Sequence, residues 1–375
     1  MKAASAFAKI TPRGEFYLVG YFNDIRKLPA VGIHDDPYVN LMLIETGNSK
    51  LLFIAIDVCI VSKGKIDPIK LQLAEKLRIP YENITVNSIH SHSCANGFDD
   101  GGISPKDNPE YLKYVTGIIL NTALSLPEKM VEVKAEYLKT NVRDWYSNRS
   151  DKTKAFDDEA IIIRFRSKDE QVIGAFLNFN CHATVVGPFN RYLTTDIIGE
   201  VRRNLTGFVG IMPYTFTGAS GDLGNRQFLQ GNDFNELLRV GAGIANEIKK
   251  GSFQPISMEG FELRLFDYHV SYDNSKHYKE YQAKLDEVRN ALASDKLTDD
   301  EKKLAVTEEL LLNKKLTTKS VDFHVVCKIM TIGDVQAVTF PGELGSIFGM
   351  QIKKNSRAVL PLVIGYADDY NGYFV

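Results

Sequence analysis

Apolar and polar positions alternate from Ile84 to Ile89, with Ile84, Val86 and Ile89 set against Thr85, Asn87 and Ser88, and this period of two predicts a strand. The strand runs into His90-Ser91-His92-Ser93. Side chains two apart on an extended backbone point the same way, so both imidazoles can face one pocket at the strand's C-terminal edge. Open α/β sheets bind ligands there. One histidine can hold a metal while the other moves protons; a polar loop with two solvated histidines satisfies the same pattern.

The same alternation recurs elsewhere. Ala4 to Thr11 reads as a strand, and Tyr38 to Glu45 with Leu51 to Val58 as a hairpin about the turn Thr46-Gly47-Asn48-Ser49. The hairpin delivers Asp57 to the end of an apolar strand, where a buried carboxylate needs a partner: either a cap or helix dipole, or a metal-bound histidine that it orients. Helical spacing appears over Ile66 to Leu77 and Pro109 to Ser125. A strand from Glu159 to Phe165 precedes a second constellation, Phe176 to Thr184, in which an alternating run again ends at a histidine, His182. A helix from Ile197 to Leu205 follows. Strands and helices in this order predict a layered α/β fold with a mixed sheet.

Three further stretches bear on chemistry. Arg149, in the polar loop Asp144 to Ser150, can polarise a substrate oxygen or sit exposed. The glycine-rich run Thr217 to Arg226 lacks the P-loop lysine and the Rossmann spacing, so its glycines are read as allowing close backbone approach. Glu343 follows Pro341-Gly342 ahead of a helix from Ser346 to Lys353, as a helix charge or an oxygen ligand on a tight turn. From Ser275 to Leu316 lysine, glutamate and leucine at helical spacing predict a helical hairpin, restarting at Leu297 to Glu301, inserted before the strands His324 to Thr331 and Val335 to Phe340. His269, His277 and His324 are read as structural or surface residues.

Composition narrows the function. The 375 residues are 44% hydrophobic and 25% charged with a net charge of −2, which is globular and argues against nucleic acid as a partner. Four cysteines, Cys59, Cys94, Cys181 and Cys327, form no CxxC pair and are expected to be reduced and packed, with Cys94 and Cys181 near the histidines. Neither a secretory leader nor a membrane-spanning run is evident, so a cytoplasmic protein is expected, or a secreted one if a leader was removed. The oligomeric state is left open.

Ile10-Thr11-Pro12, His90-Ser91-His92-Ser93, Asn148-Arg149-Ser150, Asn180 to Thr184, Gly221-Asp222, Pro341-Gly342-Glu343 and Gly365 to Tyr370 together resemble, in the same order, the motifs of the neutral/alkaline, non-lysosomal ceramidases. The resemblance spans nearly the whole chain and implies one zinc-hydrolase-like catalytic domain over residues 1–375, with the insertion at about 275–316. That family hydrolyses the amide of ceramide with one zinc held by two histidines, a glutamate and a tyrosine. Carried over, the ligands are His90, His182, Glu343 and Tyr373. His92 matches the catalytic histidine and Arg149 the active-site arginine, with Arg149 or Tyr373 stabilising the oxyanion. Two departures stand out: Gly224 occupies the place of the family's catalytic serine, and a further active-site tyrosine and an immunoglobulin-like domain have no counterpart in this chain. The expected function is therefore ceramidase-like amide hydrolysis, placed in lipid metabolism, on an N-acyl compound smaller than ceramide. The alternatives are a zinc esterase and a metal-binding protein without turnover.

Overall fold

In the computed structural model, which describes residues 1–100, 106–294, 296–297 and 299–375, the alternating runs pair into a nine-stranded sheet. Its order is Tyr214–Thr217, Val172–Phe179, Glu159–Ser167, Val131–Asn141, Lys2–Lys9, Tyr38–Thr46, Ser49–Ile56 and Ile84–Ser88, with Gln254–Ile256 added beside Val131–Asn141. The interior pairings are antiparallel and the outermost pair at each end is parallel, so the sheet is mixed as expected. The hairpin closes with Thr46 opposite Ser49, and Gly47 takes φ 55° in the two-residue turn.

Both faces of the sheet are buried, which is why its central strands are apolar at nearly every position. Leu41, Leu43, Leu52, Ile54 and Ile56 pack with Ile69 and Leu73 of the helix Lys63–Leu77 and Val115 and Ile119 of Pro109–Leu124. The alternate set, Met42, Ile44, Leu51 and Phe53, packs with Met330, Ile332, Leu360 and Leu362 of a second sheet. At the other end, helices Asp196–Val209 and Phe234–Ile248 cover Leu138, Ile162, Leu177 and Phe179.

The two edges of the large sheet meet. Tyr214 donates its hydroxyl hydrogen to Asn87 Oδ1 at 3.0 Å, Asn87 donates to the Thr215 carbonyl at 3.2 Å, and Thr217 Oγ1 donates to the Ile89 carbonyl at 3.0 Å. Between them runs the segment after the strand Leu360–Ile364: Gly365 donates to the Thr217 carbonyl at 2.9 Å, Ala367 bridges Asn87, and Asp368 donates to the Val86 carbonyl at 2.7 Å. This closure brings the turns after two strands far apart in sheet order to one place.

The chain divides into two compact units, Met1–Leu265 with Cys327–Val375, and Phe266–Val326. The second holds the helices Tyr278–Leu292 and Asp299–Thr317, packed through Leu285, Val288 and Leu312. The helix restart expected at Leu297 to Glu301 includes Thr298, which lies outside the described residues; the helix itself begins at Asp299. His277 and His324 are exposed and pair with Glu280 and Asp267, in keeping with surface roles.

Candidate metal centre

The histidines reach the site by a different route from the one the alternation implied. The strand ends at Ser88, and His90 adopts φ 61°, a left-handed conformation that costs roughly 1–2 kcal/mol for a side chain with a Cβ. His90 N–H donates to the Val58 carbonyl at 3.1 Å and His92 N–H to the Ala183 carbonyl at 3.1 Å, while Ser91 forms a parallel bridge with Ala183. This turn, and not an extended strand, presents both imidazoles to one spot. His182 likewise stands beyond its strand, which ends at Phe179. Glu343 and Tyr373 are register partners in a short parallel pair, and Glu343 N–H donates to the Gly372 carbonyl at 2.8 Å. Glu343 therefore lies outside the helix Ser346–Asn355 and sits on the tight turn.

Hydrogen bonds behind the rings fix their tautomers. His90 Nδ1 lies 2.8 Å from the Cys59 carbonyl and His182 Nδ1 2.7 Å from the Ser220 carbonyl, and a carbonyl only accepts, so each Nδ1 carries the hydrogen. Each Nε2 then faces inward with a lone pair. Glu343 Oε2 lies 3.0 Å from His182 Nε2 and 3.3 Å from His90 Nε2, and it has no hydrogen-bond partner. All three residues are buried, and their donor atoms form a group able to hold a metal ion. Three electron pairs converging in a dry site repel one another unless a cation sits among them, and two imidazoles with a carboxylate are a donor set that suits a metal ion. Without a metal that cation is a proton: burial pulls the His90 imidazole down, and Glu343 with Cys59 more than offsets it, raising it to about 10. Burial and Arg149 instead lower His182 to about 4.

Tyr373, half-exposed, places its hydroxyl 3.4 Å from His182 Nε2. Arg149 is no solvated surface residue: it is partly buried with its guanidinium 5.3 Å from the centroid of the Tyr373 ring. His92 Nε2 lies 3.1 Å from His90 Nε2, its Nδ1 is buried without a partner, and burial followed by the neighbouring His90 and His182 holds it well below the ordinary histidine range. Gly20, at φ 111°, presses so close that a Cβ there would lie 2.8 Å from His92 Cα. Gly221 approaches Glu343 in the same way, as the glycine-rich run implied: a Cβ would lie 2.5 Å from its carbonyl oxygen.

Other expectations are corrected. Asp57 neither caps a helix nor orients a histidine; its carboxylate forms a two-pronged ion pair with buried Arg202, at 3.0 and 2.5 Å. All four cysteines are free and buried, as expected, but burial raises the Cys94 and Cys181 thiols, and the cysteine beside the cluster is Cys59, with Sγ 3.9 Å from His90 Nδ1. Tyr366 stacks on the His90 ring with centroids 4.0 Å apart, and Tyr370 donates its hydroxyl hydrogen to Glu343 Oε1 at 2.5 Å. Sequence reasoning assigned neither tyrosine a place, although the unusually aromatic C-terminal run was the signal for both.

Fold and site together define a mixed α/β protein with a buried histidine and glutamate cluster suited to a metal ion. No family model matches the sequence, and no curated protein matches it. Among solved structures the chain is similar to the neutral ceramidase from Pseudomonas aeruginosa, with a TM-score of 0.70 and 16% identity over 100% of this chain and 68% of that one. It is similar also to a ceramidase complexed with C2, with a TM-score of 0.70 and 15% identity over 100% of this chain and 69% of that one. Identities this low show a shared fold, which supports the resemblance read from the motifs at that level. No helix among the described residues is long and apolar enough to cross a membrane.

Proposed function

We propose that the protein is a zinc-dependent hydrolase of an amide bond in an N-acyl compound smaller than ceramide. The reading is carried by one observation: in a buried site Glu343 Oε2 lies 3.0 Å from His182 Nε2 and 3.3 Å from His90 Nε2, and all three ligand atoms fall within 4.8 Å of one another. His90, His182 and Glu343 hold the ion and Tyr373 completes the set. Bound there, zinc supplies Lewis-acid chemistry, lowering the pKa of water and polarising a carbonyl. All of these residues belong to the unit Met1–Leu265 with Cys327–Val375, to which the catalytic work is assigned. The helical unit is an insertion in that catalytic domain.

In hydrolysis a water oxygen bonds to the amide carbon, the carbon–nitrogen bond breaks, and the leaving nitrogen takes up a proton. His92, neutral at pH 7 because burial lowers it, is placed to accept the water proton, and as an imidazolium of depressed pKa it is a strong donor to the leaving nitrogen. Arg149 and Tyr373 lie where the charge developing on the carbonyl oxygen needs hydrogen-bond donors. Gly224 itself has no side chain that could act as a nucleophile, and a Cβ there would only touch Arg149 Cβ at 3.8 Å.

One observation favours a lipid substrate as a second reading. Phe22, Leu28, Val31, Phe189 and Tyr192 are exposed on two adjoining loops, beside Arg26 and Tyr21. Elemental analysis followed by turnover of short- and long-chain N-acyl sphingosines beside water-soluble N-acyl amines decides between them. The proposal expects about one zinc per chain and faster cleavage of a soluble amide. Long-chain ceramide cleaved faster than every soluble amide, with loss in His182→Ala, would establish the second reading.

A further inference from the structure

The second sheet runs in the order Glu262–Asp273, Ser320–Ile332, Val335–Thr339 and Leu360–Ile364, so among the described residues Glu262–Asp273 is an edge strand with one side of its backbone unpaired. It is 12 residues long, which is much for an edge, and it contains neither the proline nor the lysine that commonly blunts one. From Phe266 to Asp273, the part that belongs to the unit Phe266–Val326, every residue is exposed except half-buried Val270.

Alternation sorts these side chains onto two faces. Phe266, Tyr268, Val270 and Tyr272 share one. There the Phe266 and Tyr268 rings stack with centroids 5.9 Å apart, and Tyr272 stacks on Phe323 of the neighbouring strand at 6.4 Å. Asp267, His269 and Ser271 share the other, where His324 Nε2 lies 2.8 Å from Asp267 Oδ1 and the His269 and His324 rings meet edge-on at 5.9 Å. Phe266 and Tyr268 are each 52% exposed and Tyr272 41%, while the helices of the same unit turn Leu285, Val288 and Leu312 toward one another. An aromatic face and an open edge on one ribbon are both satisfied by a further strand.

The strand's own sequence fits that place. Paired antiparallel with a second copy, it keeps the aromatic face continuous only where odd residues stand opposite odd and even opposite even. Of these registers, the one centred on Tyr268 sets Asp267 opposite His269 of the partner subunit, and by the two-fold axis His269 opposite the partner's Asp267. It also sets Phe266 against the partner's Val270 and Tyr268 against its own counterpart. Centring on Asp267 would bring two carboxylates face to face, centring on Val270 would set Asp267 against the partner's Asp273, and centring on His269 would lose the acid–imidazole pairs.

We infer that Glu262–Asp273 is a homodimer interface, in which two copies of the chain pair antiparallel about Tyr268 and join their aromatic faces into one.

Sedimentation equilibrium of the full chain at about 50 μM is expected to give twice the 42.0 kDa of one chain. Tyr268→Arg sets two guanidinium groups against each other at the axis, at an exposed position that the fold tolerates. It is expected to weaken association about 100-fold or more, with the circular dichroism and Tm of the parent. His269→Asp, which gives Asp267 a second acid to face, should weaken it about tenfold, and adding Asp267→Lys should restore it. The four native cysteines are buried, so Tyr268→Cys adds the one exposed thiol. Mild oxidation should cross-link it to its counterpart, whereas Asp267→Cys, facing the partner's His269, should not cross-link. A chain that sediments at 42.0 kDa, a dimer undisturbed by Tyr268→Arg, or cross-linking no faster at position 268 than at 267 overturns the inference.

Discussion

Glu343 presents one oxygen to the cluster because the other is taken. Tyr370 holds Oε1 at 2.5 Å, and the Cys59 and Ser220 carbonyls hold the Nδ1 edges of His90 and His182, so the three inward ligand atoms are oriented before any metal ion replaces the proton between them. Tyr370→Phe is expected to weaken zinc binding roughly 10- to 100-fold, the usual effect of losing such a supporting group. Competition with a chromophoric chelator measures it, and an unchanged affinity would show that the carboxylate needs no clamp. His92→Ala is expected to keep its zinc and lose roughly 10²-fold or more in kcat, since a positioned acid/base contributes that much. Loss of the metal in this variant would make His92 a ligand. His90, His182 and Glu343 stood out in the sequence because each lies in a short motif beside a predicted element, whereas Tyr373 came only from the family resemblance. Tyr370, Tyr366 and Cys59 did not stand out, because what they do is a contact across the fold, and no local spacing encodes it.

At the scale of elements, the strands and helices followed from hydrophobic period, while the turns that aim the histidines did not. A period of two implied that His90 and His92 share a face; the structure achieves this through a left-handed His90 beyond the strand's end, a conformation decided by tertiary hydrogen bonds. The partner of Asp57 was hidden for the same reason. Arg202 lies on the helix Asp196–Val209, far along the chain, and only packing shows that it fills the end of the hairpin strand. Removing one member of such a buried pair leaves the other charge uncompensated, so Asp57→Asn is expected to cost roughly 3–5 kcal/mol. Replacing both residues by apolar ones of similar volume should cost much less. Urea unfolding of the single and double variants tests this, and a single-substitution cost below about 1 kcal/mol would show that the pair is open to solvent.

For the molecule as a whole, the central fact is that a mixed sheet brings its two edges together and the segment Gly365–Asp368 fastens them. Asp368 is the ionic part of that fastening: its carboxylate meets Lys70 at 2.9 Å and Lys328 at 2.8 Å. Burial pushes its pKa up, but the two lysines prevail and hold it at about 2, below the ordinary 3.8. A carboxyl depressed in the folded state contributes stability that is present above pH 4 and lost as pH falls toward 2, here roughly 2 kcal/mol. Acid titration of unfolding should therefore show a loss between about pH 4 and 2 that is absent in Asp368→Asn, a variant expected to be less stable at neutral pH. A wild-type loss retained in Asp368→Asn would assign it to other carboxylates. The layered α/β class was legible from element order, but the edge-to-edge closure was not, since it depends on side-chain bonds between distant strands and on the segment Gly365–Asp368 from near the C-terminal end of the chain.

The account stands on an ion among His90, His182 and Glu343, and zinc X-ray absorption on the loaded protein addresses it most directly. The account predicts a shell of nitrogen and oxygen only, at about 2.0–2.1 Å, with imidazole scattering from two histidines that is lost in His90→Ala together with stoichiometric binding. A sulfur neighbour at about 2.3 Å, which would draw Cys59 into the site, or zinc that remains bound in the absence of both His90 and His182, would contradict it.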